Sequence, residues 1–141
     1  MTAMEPTDHR GLRVLPHAEC LMLLEHTSTG RVAFVHDGEP EVLPITFGLD
    51  RGAPVFRTSW GAKLFSAAAA HVVALEADAV DRATRRAWSV VVKGPANVEY
   101  DDDAIARYEL LGVERWLHDA SEPFWVRVTP QTVTGRELEL P

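Results

Sequence analysis

Arg31-Val32-Ala33-Phe34-Val35-His36-Asp37-Gly38 is followed, two residues on, by Glu41-Val42-Leu43-Pro44-Ile45-Thr46-Phe47-Gly48-Leu49. Two short runs rich in strand formers with Asp-Gly between them are the strongest short-range signal for an antiparallel hairpin. Pro44 has no N–H to give to a ladder, so the returning strand carries an edge or a bulge there.

Working outward, Asp50-Arg51-Gly52-Ala53 reads as a second tight turn and residues 54–58 as a third strand. The Ser59-Trp60-Gly61 turn then leads into residues 62–70, whose alanines favour a helix. Strands are expected at residues 71–77 and 88–100, with a polar connection over 78–86 and a bulge at Gly94-Pro95 in the longer strand. Asp101, Asp102 and Asp103 suit the start of a helix over about 104–117, interrupted near Gly112. Residues 124–129 and 132–140 complete the strand set. Upstream, residues 16–25 read as a helix with Pro16 in its first turn and Glu19 near the positive end of its dipole. Residues 1–13 read as a loosely ordered lead-in. Hairpins dominate the connections. The expectation is therefore one mainly β (α+β) domain over residues 1–141: six antiparallel strands closed as a barrel, with a few flanking helices.

Composition bounds the function. The chain has 141 residues and a net charge of −7, which argues against nucleic acid as its main partner because phosphate neutralisation needs clustered Lys and Arg. Cys20 is the sole cysteine, so no intramolecular disulfide or CxxC motif can form. Six scattered His residues make no metal-ligand spacing, and no metal is expected. No apolar run approaches the length of a membrane span, and the N-terminus has no signal-peptide core. The expected location is the cytoplasm.

The stretch with most chemistry is Val55-Phe56-Arg57-Thr58-Ser59-Trp60-Gly61-Ala62-Lys63-Leu64. A strand end, a Gly-containing turn and a helix start make an anion site, with free N–H groups and the dipole pointing at the ligand. Arg57 can fork two hydrogen bonds onto phosphate, Lys63 adds a compact charge, and Thr58 and Ser59 add hydroxyls. On spacing alone the first reading is plainer: a hydroxyl helix cap flanked by two solvated cations. The interrupted ladder at Pro44-Ile45-Thr46-Phe47 shifts the balance, since it frees backbone groups to meet the edge of a polar heterocycle.

These segments, with Gly30 to Val35 and Trp88-Ser89-Val90-Val91-Val92-Lys93-Gly94, resemble the pyridoxamine 5'-phosphate oxidase-like, FMN-binding split-barrel family over about residues 12–130. The resemblance implies a split barrel in which Val42, Leu43, Pro44, Ile45, Thr46 and Phe47 line the flavin ring, largely through backbone atoms. Arg57, Thr58, Ser59 and Lys63 would hold the phosphate. It also implies a homodimer with the cofactor at the subunit interface, so that Trp88 and Ser89 approach from the partner chain. Trp116 and Trp125 are candidates to cover the ring, with core burial as the first reading of each. FMN is the implied cofactor, the deazaflavin F420 the alternative. The chain has no counterpart of the Arg and His that grip substrate near the C-terminus of true pyridoxamine-phosphate oxidases, so the substrate does not follow. The implied activity is that of an oxidoreductase on a small molecule; a non-enzymatic flavin or haem binder, or a dimer that has lost its cofactor, are the other readings.

Overall fold

The computed structural model describes residues 6–59, 71–114 and 124–141. In chain order the elements are β1 (Arg13–Val14), α1 (His17–Glu25), β2 (Thr29–His36), β3 (Glu39–Asp50), β4 (Ala53–Thr58), β5 (His71–Asp81), β6 (Arg86–Val98), α2 (Asp102–Glu109), β7 (Phe124–Val128) and β8 (Thr132–Glu139). The sheet order is β1-β8-β6-β5-β2-β3-β4-β7, and β7 also pairs with β6. Six strands, β2 to β7, therefore close into an antiparallel barrel, and β8 and β1 extend the sheet beyond β6.

Local backbone chemistry sets the hairpins. Asp37 and Gly38 have φ of 50° and 77°, and Arg51 and Gly52 have 53° and 78°. Two successive left-handed residues twist the chain in the sense its flanking strands need. Pro16 stands just outside α1 as its cap residue rather than in its first turn, its ψ of 155° being extended. Asp101 caps α2 by accepting a hydrogen bond from the Asp103 N–H at 3.0 Å. The helix ends at Glu109, short of the expected residue 117, and Gly112 follows with φ +69°, a conformation that terminates helices readily.

Two expectations about the strands also change. Residues 78–81 are strand rather than connection, because Asp81 itself makes the turn: its Oδ1 accepts from the Ala83 and Thr84 N–H groups at 3.0 and 3.2 Å. Gly94-Pro95 is no bulge. The β5–β6 pairing runs unbroken from His71↔Ala96 to Asp81↔Arg86. Gly94 instead marks where β6 exchanges β8 for β7, and the β7–β8 connection crosses over it. A Cβ built on Gly94 would meet Thr129 O at 1.8 Å, while Thr129 and Gln131 donate their N–H groups to Pro95 O and Lys93 O.

The barrel interior is filled by Val32, Phe34, Ile45, Phe47, Phe56, Leu75, Val90, Val92 and Val126 among others, closed at one side by Leu24 and Cys20 of α1. Burying each large apolar side chain contributes about 1.5–3 kcal/mol. A second cluster lies outside the barrel, where α2 packs Ala104 and Tyr108 onto Val55 of β4 and Trp125 of β7. Residues 6–13, within the expected lead-in, fold back on the sheet: Val14 N–H donates to Pro6 O, and Arg136 Nε to Asp8 at 3.2 Å. No helix among the described residues is long and apolar enough to cross a membrane.

Candidate functional site

β3 and β4 pair only from Phe47↔Phe56 to Asp50↔Ala53, although β3 runs on to Glu39 and β4 to Thr58. The two strands part beyond Phe47. From there β3 keeps β2 on one side and has no strand on the other among the described residues. The edge expected at Pro44 is this free edge, and the β2–β3 pairing passes Pro44, opposite Arg31, without a slip.

Peptide groups alternate in direction along a strand. The hairpin pair His36↔Glu39, and the bond from Phe47 N–H to Ser28 O at 3.0 Å, put the odd-numbered groups of β3 toward β2. The peptide groups of Leu43, Ile45 and Phe47 are thus committed to β2, and their side chains join the barrel core. The outward groups are the N–H of Val42 and Thr46 and the carbonyls of Val42, Pro44 and Thr46. Pro40 and Pro44 sit where a missing N–H costs the β2 ladder nothing. From Val42 to Thr46 the edge is about 13 Å long at the usual rise per residue.

Thr46 and Arg57 are the first residues past the last β3–β4 pair, and both side chains emerge on the outer face. Thr46 Oγ1 donates to Glu114 O in the turn after α2. Beside it lies a cavity of about 300 Å³ lined by the end of α1, Thr46, Phe47 and residues 111–114. That is the lower end of the range for small-molecule sites.

Arg57 is 11% exposed. Its guanidinium lies 4.4 Å from the centre of the Trp125 ring and donates from Nη2 to Glu109, the last residue of α2. Buried Nε has no acceptor among the described residues. A guanidinium carries five N–H donors, and among the described residues Arg57 gives one of them, to Glu109.

The helix that brings Glu109 here is clamped by Asp50, 6% exposed at the β3–β4 turn. Arg107 Nε and Nη2 donate to its two oxygens at 3.1 and 3.2 Å, and Arg127 Nη1 adds a bond at 2.8 Å. The Arg107 hydrogen bond holds the Asp50 carboxyl below its ordinary pKa; burial opposes this and Arg127 reinforces it. Tyr108 OH donates to Glu99 at 2.7 Å and accepts from Arg127 at 3.1 Å.

Not all the residues singled out in the sequence converge. Arg57 and Thr58 leave opposite faces of β4, with Thr58 paired to Phe124, which packs on the barrel core. Ser59 is exposed at the strand end. Lys63, Trp60, Trp116 and the expected helix at 62–70 lie outside the described residues. Trp88 packs on the core from the barrel's inner face, and Ser89 lies between Asp78 and Arg136. Strands β2 and β5 separate Ser89 from Thr46, about 14 Å at the usual strand spacing. Trp125 is buried in the outer cluster. Glu109 and Asp50 were missed, since neither has a local motif.

On the outer face of β2 and β5, Arg31 Nη1 donates to both Glu76 and Asp78 at 2.9 Å. Glu76 has a buried oxygen with no partner among the described residues, and its pKa is pushed up to about 7 by burial first and then by Asp78. Register places exposed Val42 beside Ala33 and Ala74, and Val35 and Val72 are exposed one step along the same face.

Against known proteins, the profile of a family described as pyridoxamine 5'-phosphate oxidase matches residues 16–137. An uncharacterised Mycobacterium tuberculosis protein is 35% identical over 135 residues, 92% of this chain and 88% of that one. Among solved structures, a Corynebacterium glutamicum protein classed with the pyridoxamine 5'-phosphate oxidases superposes with a TM-score of 0.81 at 36% identity, covering 92% of this chain and 99% of that one. An FAD-binding protein from Mycobacterium smegmatis gives 0.74 at 31% identity, covering 90% and 98%.

Proposed function

The chain belongs to the pyridoxamine 5'-phosphate oxidase family, and from that premise we propose that it binds a flavin nucleotide where β3 and β4 part and acts as an oxidoreductase on a small molecule. The observation that carries the reading is Arg57: a nearly buried guanidinium at the rim of the gap, whose Nε has no acceptor among the described residues. Such a group is costly to bury without acceptors, and a phosphate supplies them.

The residues present fit the cofactor. The outward N–H groups of Val42 and Thr46 and the carbonyl of Pro44 form a row of donors and acceptors, which suits the polar edge of a fused heterocycle. Leu43, Ile45 and Phe47 support that row from the core side. Arg57 would take the phosphate, with Ser59 and Lys63 of the adjoining segment as its proposed helpers; Thr58 leaves the opposite face of β4 and would have to reach it from the strand end. The bound ring supplies the hydride or electron transfer. What the chain adds is orientation and exclusion of water, through the free edge and the turn that Thr46 holds by Glu114.

A homodimer belongs to the same proposal. Val35, Val42 and Val72 give the outer sheet face an apolar patch next to the free edge, and a second copy covering it would bring Trp88 and Ser89 of the partner subunit toward the cofactor.

FMN is the first reading of the cofactor from the phosphate segment, with deazaflavin F420 as its alternative. The resemblance to the mycobacterial FAD-binding protein supports FAD as a second reading. An absorption spectrum of the purified protein, mass spectrometry of what it releases on denaturation, and titrations with FMN, FAD and F420 test all three. A colourless protein that binds none of them refutes the proposal. Turnover of a nicotinamide donor with any acceptor would distinguish the oxidoreductase from a flavin carrier.

A further inference from the structure

Arg57 already carries an anion of the chain's own. Glu109 Oε1 accepts from Arg57 Nη2 and, at 3.2 Å, from the indole N–H of Trp125. Glu109 is the last residue of α2, where unpaired carbonyls make the potential negative and a carboxylate is disfavoured. With its side chain 52% exposed, it could turn to water. Two directed donors hold it on the guanidinium instead. Its second oxygen has no partner among the described residues, and the carboxylate stands beside Arg57, the proposed phosphate ligand.

We propose that Glu109 sets the charge of this site and thereby selects the kind of phosphate it accepts. The inference rests on Arg57 being the phosphate ligand. With Glu109 in place the Arg57–Glu109 pair is neutral. A terminal phosphate monoester, close to doubly charged at neutral pH, concentrates on one group the charge that a pyrophosphate spreads over two, so it meets that carboxylate with the stronger repulsion. Glu109 therefore lowers the affinity for a flavin mononucleotide more than that for a flavin dinucleotide. A flavin with no phosphate is indifferent to Glu109.

The test is equilibrium titration of the full chain with FMN, FAD and riboflavin, comparing wild type with Glu109→Gln, Glu109→Lys and Arg57→Gln. Glu109→Gln should tighten FMN about tenfold and FAD about threefold, from charge repulsion about 6 Å away at the water-like dielectric of a half-exposed group. Riboflavin should change less than about twofold on the same reasoning. Glu109→Lys should move FMN further in the same direction. Position 109 is half exposed and Gln keeps an oxygen that accepts from Arg57 and Trp125, so Glu109→Gln should melt close to wild type; Glu109→Lys, which removes that acceptor, is titrated in protein shown to be folded by circular dichroism. If the FMN-to-FAD affinity ratio is unmoved in both while Arg57→Gln weakens FMN and FAD, the selection proposal falls and the phosphate site stands. If Arg57→Gln leaves all three ligands unchanged, the phosphate reading falls and takes this proposal with it.

Discussion

Replacing Asp50 by Asn is the sharpest test of how the outer helix is held. Asp50 receives two hydrogen bonds from Arg107 and one from Arg127, all charge-assisted and 2.8–3.2 Å long. Breaking a buried ion pair by removing one partner typically costs 3–5 kcal/mol. Here both arginines are partly exposed, at 35% and 26%, and can regain water. Arg127 also keeps its bond to the Asp50 carbonyl. The expected loss is therefore smaller, about 2–3 kcal/mol, or roughly 6–12 °C in Tm for a domain of this size. The acid limb adds a signature. Because the folded carboxyl titrates below its unfolded value of 3.8, its contribution is full above about pH 4 and disappears as pH falls through the folded pKa. Melting followed by circular dichroism at pH 7 and pH 3 should show a gap between wild type and Asp50→Asn that narrows in acid. A variant melting within about 2 °C of wild type at pH 7, or a gap that widens at pH 3, would refute the clamp.

Further predictions concern the barrel. Gly94→Ala puts a Cβ into the backbone oxygen of Thr129, and should cost about 3 kcal/mol or more, read as a lowered urea midpoint or loss of soluble protein; Gly112→Ala meets nothing within 4 Å and loses only what its positive φ demands. Glu76, with a folded pKa of about 7 against 4.5 unfolded, binds its proton more tightly when folded, so wild-type stability should fall as pH rises between those values. Glu76→Gln should flatten that slope and melt above wild type at pH 8; a parallel pH profile would count against it. Val72→Lys, on the exposed outer face, should turn a dimer into a monomer in size-exclusion chromatography while leaving monomer stability within about 0.5 kcal/mol. A wild-type protein that already elutes as a monomer removes the dimer from the proposal.

What could be read in the sequence divides along sequence separation. Asp37-Gly38, Arg51-Gly52 and the Asp101 cap are backbone conformations set by adjacent residues, and their turns and helix start stand where the sequence puts them. Gly94-Pro95 carries the same letters as a bulge, but its reason lies at Thr129, 35 residues away, where nothing local points. The site divides the same way. The free edge at Pro44 follows from a missing N–H, whereas the partner of Arg57 is 52 residues distant and that of Asp50 is 57 and 77.

Yet those distant contacts are one device. Arg107, Tyr108 and Glu109 are consecutive on α2, about 100° apart around its axis. Arg107 reaches Asp50, and Tyr108 packs in the outer cluster with its hydroxyl between Glu99 and Arg127. With those two directions fixed, the helix has little rotation left, and Glu109 leaves it on the side of β4 and Arg57. The position of the carboxylate beside the proposed phosphate site is thus a consequence of the Asp50 clamp. Asp50→Asn should accordingly shift FMN affinity toward that of Glu109→Gln, in protein still folded at the temperature of the titration, whereas a clamp with no bearing on Glu109 would leave it unchanged.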